Sequence, residues 1–385
     1  MIKKLLSVFV FGLLLISGLN HAPGGEIADS PYFSEEVLFP QEGIFFYRIP
    51  TMITTKEGTV FAAVNARWGK AGDFAHTTLV ARRRTSGKNW EPIRTVGGDE
   101  KTSCTIGSSV YDPQKNRIFL FGGGGIYISE DDAKSFSFEN LKIYPNKKSG
   151  KSGGTHGSAP GKMLLQGEHA GRLLVPARYA YGKETEELQR KPKEFAKFLQ
   201  EKNYNCAIFS DDHGATWNTS GPVQIGTGEG SFVELKDGRI FYNSRAYFLD
   251  GKRRTAISTD GGSTFGDFKI AEDLVEPPFG CNASMIRITT RKGDDFLLYS
   301  GPQNEKKRTD LCIMISRDNG SHWKRLFNFT PGVFGAYSAL AWSEKDQRIC
   351  LLYESNKYNP KINYGEFVFA EFNPEWIYRL ERSGK

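Results

Sequence analysis

One arginine, Arg48, stands inside the apolar, β-branched run IFFYRIPTMIT at residues 44–54. A guanidinium in a strand interior is costly unless it is paired or faces an anion. A modest excess of positive charge would suit an anionic substrate. Lys and Arg total 51 against 44 for Asp and Glu, a formal charge of +7. The excess is modest and forms no dense tract, so the electrostatic footprint of a nucleic-acid binder is missing from the sequence. The 6 histidines show no HExxH-type spacing. The 5 cysteines (Cys104, Cys206, Cys281, Cys312 and Cys350) are scattered, contain no CxxC and are odd in number. They read as small buried hydrophobes rather than as a disulfide framework.

Residues that grip an anion need a scaffold, and a repeat supplies its plan. The segments SEDDAKSF (129–136), SDDHGATW (210–217), STDGGSTF (258–265) and SRDNGSHW (316–323) share the grammar Ser-x-Asp-x-Gly-x-Thr-aromatic. RRTSGKNW (83–90) is a worn copy. Ser and Asp side chains can bond nearby backbone N–H groups and close a tight turn, and Gly admits positive φ at the bend. Each box follows a short alternating strand such as CAIFS or CIMIS, so each box is a hairpin turn.

The boxes at 83, 129, 210, 258 and 316 are separated by 46, 81, 48 and 58 residues. A four-stranded propeller blade takes roughly 40–50 residues. The long interval holds YGKETEELQRKPKEFAKFLQEKNYN (181–205), charged and helical in pattern, with Pro192 suited to a first helical position and Phe195, Phe198 and Leu199 on one face. It reads as a helical insertion on one blade. Aromatics at 13% and 42 glycines also favour an all-β fold rich in turns.

The N-terminus has a basic start (Lys3, Lys4), an apolar stretch from Leu5 to Ile16 and small residues at Ser17, Gly18 and Ala22. That is the pattern of a signal peptide over 1–22, leaving one domain over 35–380. The protein is therefore expected to be exported, without stable membrane insertion.

The boxes resemble the Asp-box, or BNR, repeats of sialidases, which fold as six-bladed β-propellers. The resemblance runs from about residue 35 to 375. YRIP at 47–50 is similar to the family's FRIP motif and places its first arginine at Arg48. VNARWGKAGD resembles the segment with the second-strand arginine and the catalytic aspartate, which map to Arg67 and Asp73. EGSFVELKDGRIFYNSR resembles the segment with the catalytic glutamate and the second triad arginine, Glu229 and Arg245, with Glu234 as the competing carboxylate. RTDLCIMISRDNG places the third triad arginine at Arg308, beside Lys306 and Lys307. GAYSALAW places the nucleophile at Tyr337, and LLYE places the acid that orients the first arginine at Glu354.

The resemblance implies an exo-α-sialidase: a retaining glycoside hydrolase, free of metal and cofactor, acting on sialylated glycoconjugates. A monomer is expected. Three guanidiniums would hold the sialic acid carboxylate by bidentate bonds that lysine cannot reproduce. Tyr337 would be the nucleophile, Glu229 its base and Asp73 the general acid and base. Alternatives are a trans-sialidase, a hydrolase of a related nonulosonic acid, or a non-catalytic Asp-box propeller that only binds.

Overall fold

The computed structural model describes residues 30–155, 159–179, 187–188, 190–362 and 364–383. The expected signal peptide and residues 181–186 and 189 of the expected insertion lie outside them. The described chain is all-β, with six sheets arranged as blades.

The first blade holds Phe45–Thr54, Val60–Trp68, Thr77–Arg84 and Arg94–Gly97; the second holds Ile106–Asp112, Arg117–Gly122, Gly125–Ser129 and Ser137–Asn140. The third is built on Leu173–Tyr179, Asn205–Ser210 and Trp217–Thr219, with the short strands Gly153–Gly154 and Lys162–Met163 on its inner side and Ile143–Tyr144 at its outer edge. The fourth holds Thr227–Glu234, Ile240–Ala246, Lys252–Ser258 and Gly266–Val275; the fifth holds Ser284–Thr289, Asp295–Pro302, Leu311–Ser316 and Lys324–Asn328. The sixth pairs Gly335–Ser343, Arg348–Ser355 and Phe367–Phe372 with Phe33–Phe39 from the other end of the chain. That last pairing closes the ring.

The apolar residues pack between blades rather than within them. One cluster joins Val64 and Val80 of the first blade to Ala339 and Leu352 of the sixth, with Leu38 and Phe39 among them. Another joins Phe61 and Leu79 to Ile118 and Leu120 of the second blade. The series continues between second and third, third and fourth, fourth and fifth, and fifth and sixth. All five cysteines are free and buried.

The boxes close turns as their chemistry requires. In the third blade the Ser210 hydroxyl donates to Asp212 Oδ1 at 2.7 Å and accepts the Gly214 N–H at 2.8 Å. Asp212 also takes the Thr216 N–H at 2.9 Å and the Thr216 hydroxyl at 2.6 Å. The boxes at 258 and 316 repeat this. In the last box His322 replaces Thr, and its Nδ1 meets the same carboxylate, Asp318, at 2.7 Å. The worn copy works differently. Arg83 reaches Asp132 of the next blade at 2.9 Å and ties two blades together.

Helix Pro192–Glu201 lies in the expected insertion. The insertion's last residues belong to the blade: Asn203 Nδ2 donates to the Thr227 carbonyl at 2.6 Å in a buried position, and Asn205 opens a strand. Among the described residues no helix is long and apolar enough to cross a membrane.

Candidate active site

In each blade the first and third strands start, and the second ends, at one face of the ring. The boxes, which follow the third strands, lie at the opposite face. The eight residues singled out by the sequence all fall at the first face. Arg48, Glu229 and Tyr337 lie near the starts of first strands, and Arg67, Arg245 and Glu354 at the ends of second strands. Arg308 precedes a third strand, and Asp73 follows a second strand on the turn into the third.

The first strands do not run straight there. Pairing slips between Arg48 and Pro50, between Thr227 and Gly230, and between Gly335 and Ser338. Bulges of this kind re-aim side chains beside active sites. At the first, Ile49 adopts φ +56°, costly for a β-branched residue. Glu354 holds it there: its Oε1 accepts both Arg48 Nε at 2.8 Å and the Ile49 N–H at 3.1 Å. At the second, the glycines flanking Glu229 are required by packing. A Cβ on Gly228 would lie 2.1 Å from the Tyr247 hydroxyl, and one on Gly230 2.3 Å from that of Tyr242.

Glu229 and Tyr337 form the centre. The Tyr337 hydroxyl donates to Glu229 Oε1 at 2.7 Å and accepts from Arg245 Nη1 at 2.8 Å. Arg245 Nη1 also bonds Glu229 Oε2 at 2.6 Å. The guanidinium carbons of Arg308 and Arg48 lie 5.4 Å and 5.8 Å from the centroid of the same tyrosine ring, and Arg48 also lies 4.2 Å from that of Tyr364. Three guanidiniums thus surround one phenol. Arg67 is buried and donates to the Ala71 carbonyl at 2.5 Å and to Asp73 at 2.9 Å. The Asp73 side chain is 81% exposed, so this carboxyl is open to solvent while it pairs with Arg67.

Electrostatics follow from burial and these pairs. Burial pushes the Tyr337 phenol well above its ordinary range; Arg245 opposes this and Glu229 adds to it. Burial would also raise Glu229, but the charges of Arg245 and Arg178 and the hydrogen bonds from Arg245 and Tyr337 hold it below the ordinary carboxylate range. Burial and the Arg48 charge lower Arg67, against the pull of Asp73 and Glu354. A cation lowered by a neighbouring cation gains from an added anion.

The rival carboxylate is placed elsewhere. Glu234 accepts the N–H groups of Leu165 and Gln166 at 2.8 Å and 2.9 Å, near the far end of its strand. Lys306 and Lys307 are exposed, whereas Arg308 Nη2 donates to the Gly280 carbonyl at 3.2 Å. Arg178 and Tyr364 were not singled out from sequence. A signal for Arg178 existed, because it stands near the end of its blade's second strand, as Arg67 and Arg245 do in theirs.

The chain is thus a six-bladed propeller with three guanidiniums around a tyrosine–glutamate pair at one face. Residues 58–346 match the BNR repeat-like domain, and the chain belongs to this BNR-repeat family, several of whose members are sialidases. It is 28% identical to a sialidase of Micromonospora viridifaciens over 94% of this chain, and spans only 56% of that relative's length. It is 28% identical to Sialidase-2 of Cricetulus griseus, with coverage of 90% of this chain and 97% of the relative. Among solved structures, the Hadza microbial sialidase Hz136 superposes with a TM-score of 0.65 at 22% identity, covering 85% of this chain and 65% of that one.

Proposed function

We propose that the protein is an exo-α-sialidase that releases terminal sialic acid with retention of configuration. One observation carries the reading. A buried tyrosine hydroxyl is bonded to a carboxylate at 2.7 Å and to an arginine at 2.8 Å, with two further guanidiniums beside its ring. A sialic acid bears a carboxylate on its anomeric carbon. Gripping that carboxylate with Arg48, Arg245 and Arg308 brings the anomeric carbon to Tyr337.

The nucleophile follows from charge. A carboxylate nucleophile would approach a carbon already carrying a negative group, and a neutral phenol avoids the repulsion. Tyrosine nucleophiles are the exception that sialidases make among glycosidases. The phenol is weak, with an unperturbed pKa near ~10, and burial raises it further, so it must lose its proton as it attacks. Glu229 Oε1 already accepts that proton's hydrogen bond, and Arg245 donates to the oxygen on which charge develops. Asp73 protonates the leaving oxygen, then activates the water that attacks the tyrosyl–sugar bond. Two inversions return the original configuration.

The reading extends to sialylated glycoproteins, glycolipids (gangliosides included) and oligosaccharides as substrates, and to an exported, monomeric protein. Release of a fluorogenic sialoside by the purified protein tests the activity. Proton NMR of the earliest product tests the mechanism: the α-anomer of free sialic acid is expected, a β-anomer would remove the covalent role of Tyr337, and transfer to a sugar acceptor would replace hydrolysis by trans-sialylation. N-terminal sequencing of the exported protein and light scattering test the remaining two points.

A further inference from the structure

Three successive backbone carbonyls beneath the pocket each accept from a different arginine. Phe279 O takes Arg245 Nε at 2.7 Å, Gly280 O takes Arg308 Nη2 at 3.2 Å, and Cys281 O takes Arg253 Nη1 at 2.7 Å. Phe279 and Gly280 have φ of +58° and +63°, so the chain here leaves the alternation of a strand. Gly280 has no room for a side chain: a Cβ would lie 2.6 Å from Arg245 Cγ and 2.7 Å from Glu276 Oε2. Two of these three arginines belong to the carboxylate grip and one, Arg253, does not.

Arg253 is fully buried and paired with Glu276 at 2.8 Å. Its Nε donates to Asn243 Oδ1 at 2.5 Å, on the strand that carries Arg245. Glu276 accepts the N–H of Ala246, the residue after Arg245, at 2.8 Å, and its own N–H donates to the Gly251 carbonyl at 2.9 Å. The pair therefore fastens both the backbone at Arg245 and the loop whose carbonyls steer Arg245 and Arg308. Groups held to about 0.5 Å need such support, and a displacement of about 1 Å can cost roughly 100-fold in rate.

We propose that Arg253 and Glu276 are positioning residues that set the geometry of the carboxylate grip through the Phe279–Cys281 carbonyls. This rests on the sialidase reading above. Neither residue touches substrate; both act through Arg245 and Arg308.

The test compares N-acetylneuraminic acid with its methyl ester as competitive inhibitors of fluorogenic sialoside cleavage. Wild type should favour the acid strongly. At about pH 8, where the Glu276 carboxyl, raised by burial to about 7, is ionised, Glu276→Gln keeps the side chain's shape but loses the charge, and should shrink the acid-to-ester ratio at least tenfold, with KM rising more than kcat falls. Glu371→Gln, which breaks the Arg84–Glu371 pair far from the pocket, should lower Tm while leaving the ratio intact. If Glu276→Gln does not fold, Glu276→Asp, one methylene short with its charge kept, should shrink the ratio by less. A folded variant with the wild-type ratio, or a control that shrinks it equally, overturns the positioning role. A wild type that cleaves no sialoside overturns the functional reading instead. The ratio is then read by calorimetry, where a carboxylate preference that survives Glu276→Gln still sinks the positioning role.

Discussion

The hydroxyl of Tyr337 has two partners, and each governs a separate experiment. Tyr337→Phe keeps the ring between the guanidiniums and removes both hydrogen bonds. It should fold and still bind sialic acid, while kcat falls by orders of magnitude. Arg245 governs pH. Its charge, with that of Arg178, holds Glu229 below its ordinary range against burial. The base form therefore persists into acid, and the acid limb of kcat/KM should lie below the unperturbed glutamate value of ~4.3. In Arg245→Gln the largest charge opposing burial is gone, Glu229 binds its proton at higher pH, and the limb should move up. A limb that stays in place would show that Glu229 does not set it. Arg308→Lys keeps the charge but loses the fork and should lose most kcat/KM. These residues were legible because the motifs that carry them resemble those of a known family, and the chemistry then gave each residue type a reason. Tyr364 was not, since nothing in its local sequence shows that it lies 4.2 Å from the Arg48 guanidinium.

The box is the element that sequence disclosed best, because its whole hydrogen-bond set is local. Asp131, Asp212, Asp260 and Asp318 all have lowered pKa values, Asp131 at about 2, because turn hydroxyl and N–H donors (and His322 for Asp318) outweigh burial. Carboxylates lowered in the folded state contribute stability in full above the unfolded value of ~3.9, and lose it as pH falls through the folded value. Tm should therefore drop steeply between about pH 4 and 2, and Asp212→Asn should be less stable at pH 7 but lose less across that window. A variant with the same acid slope as wild type would remove the box from the account. The insertion was legible as an interruption, but its end was not, because Asn203 and Asn205 look as polar as the helix before them. Their partners lie in the next blade: Asn203 donates to Thr227 O, and Asn205 Oδ1 accepts from the Thr227 hydroxyl at 2.7 Å. Replacing 181–201 by a short Gly/Ser linker should leave a cooperative fold, whereas deletion through 205 should cost several degrees more in Tm. Equal melting of the two deletions would show that these contacts do not matter. The first deletion should also alter activity on larger sialosides, since the helix stands at the pocket face with Gln200 bonded to Tyr247 O at 3.1 Å.

At the scale of the molecule, the ring's seam runs through the pocket. Arg48, Arg67 and Asp73 belong to the first blade, while Tyr337 and Glu354 belong to the sixth. The Arg48–Glu354 pair spans that seam across 306 residues of sequence. Its existence could be expected from matched motifs, but its dependence on closure could not, because the closing strand Phe33–Phe39 carries no motif. That strand is fixed by packing. Leu38 and Phe39 are fully buried between the two blades, Phe33 stacks on Trp376 at 5.0 Å, and Asn373 brackets its start through Tyr32 N at 2.8 Å and Ser30 O at 2.9 Å. Leu38→Ala and Phe39→Ala should each cost about 2–5 kcal/mol. Removing residues 30–40 should do more than lower Tm. It leaves the sixth blade with three strands, exposes the edge strand Phe367–Phe372, and frees the first and sixth blades to part. Activity should then be lost before the fold is, because the proposed reaction needs Arg48, which grips the carboxylate, from one side of the seam and Tyr337, the nucleophile, from the other. A synthetic peptide of residues 30–42 added to the truncated protein should restore kcat/KM in a saturable way, with a midpoint that reports the strand's affinity. Wild-type activity in the truncated protein without peptide would show that the remaining contacts between the first and sixth blades hold the seam unaided.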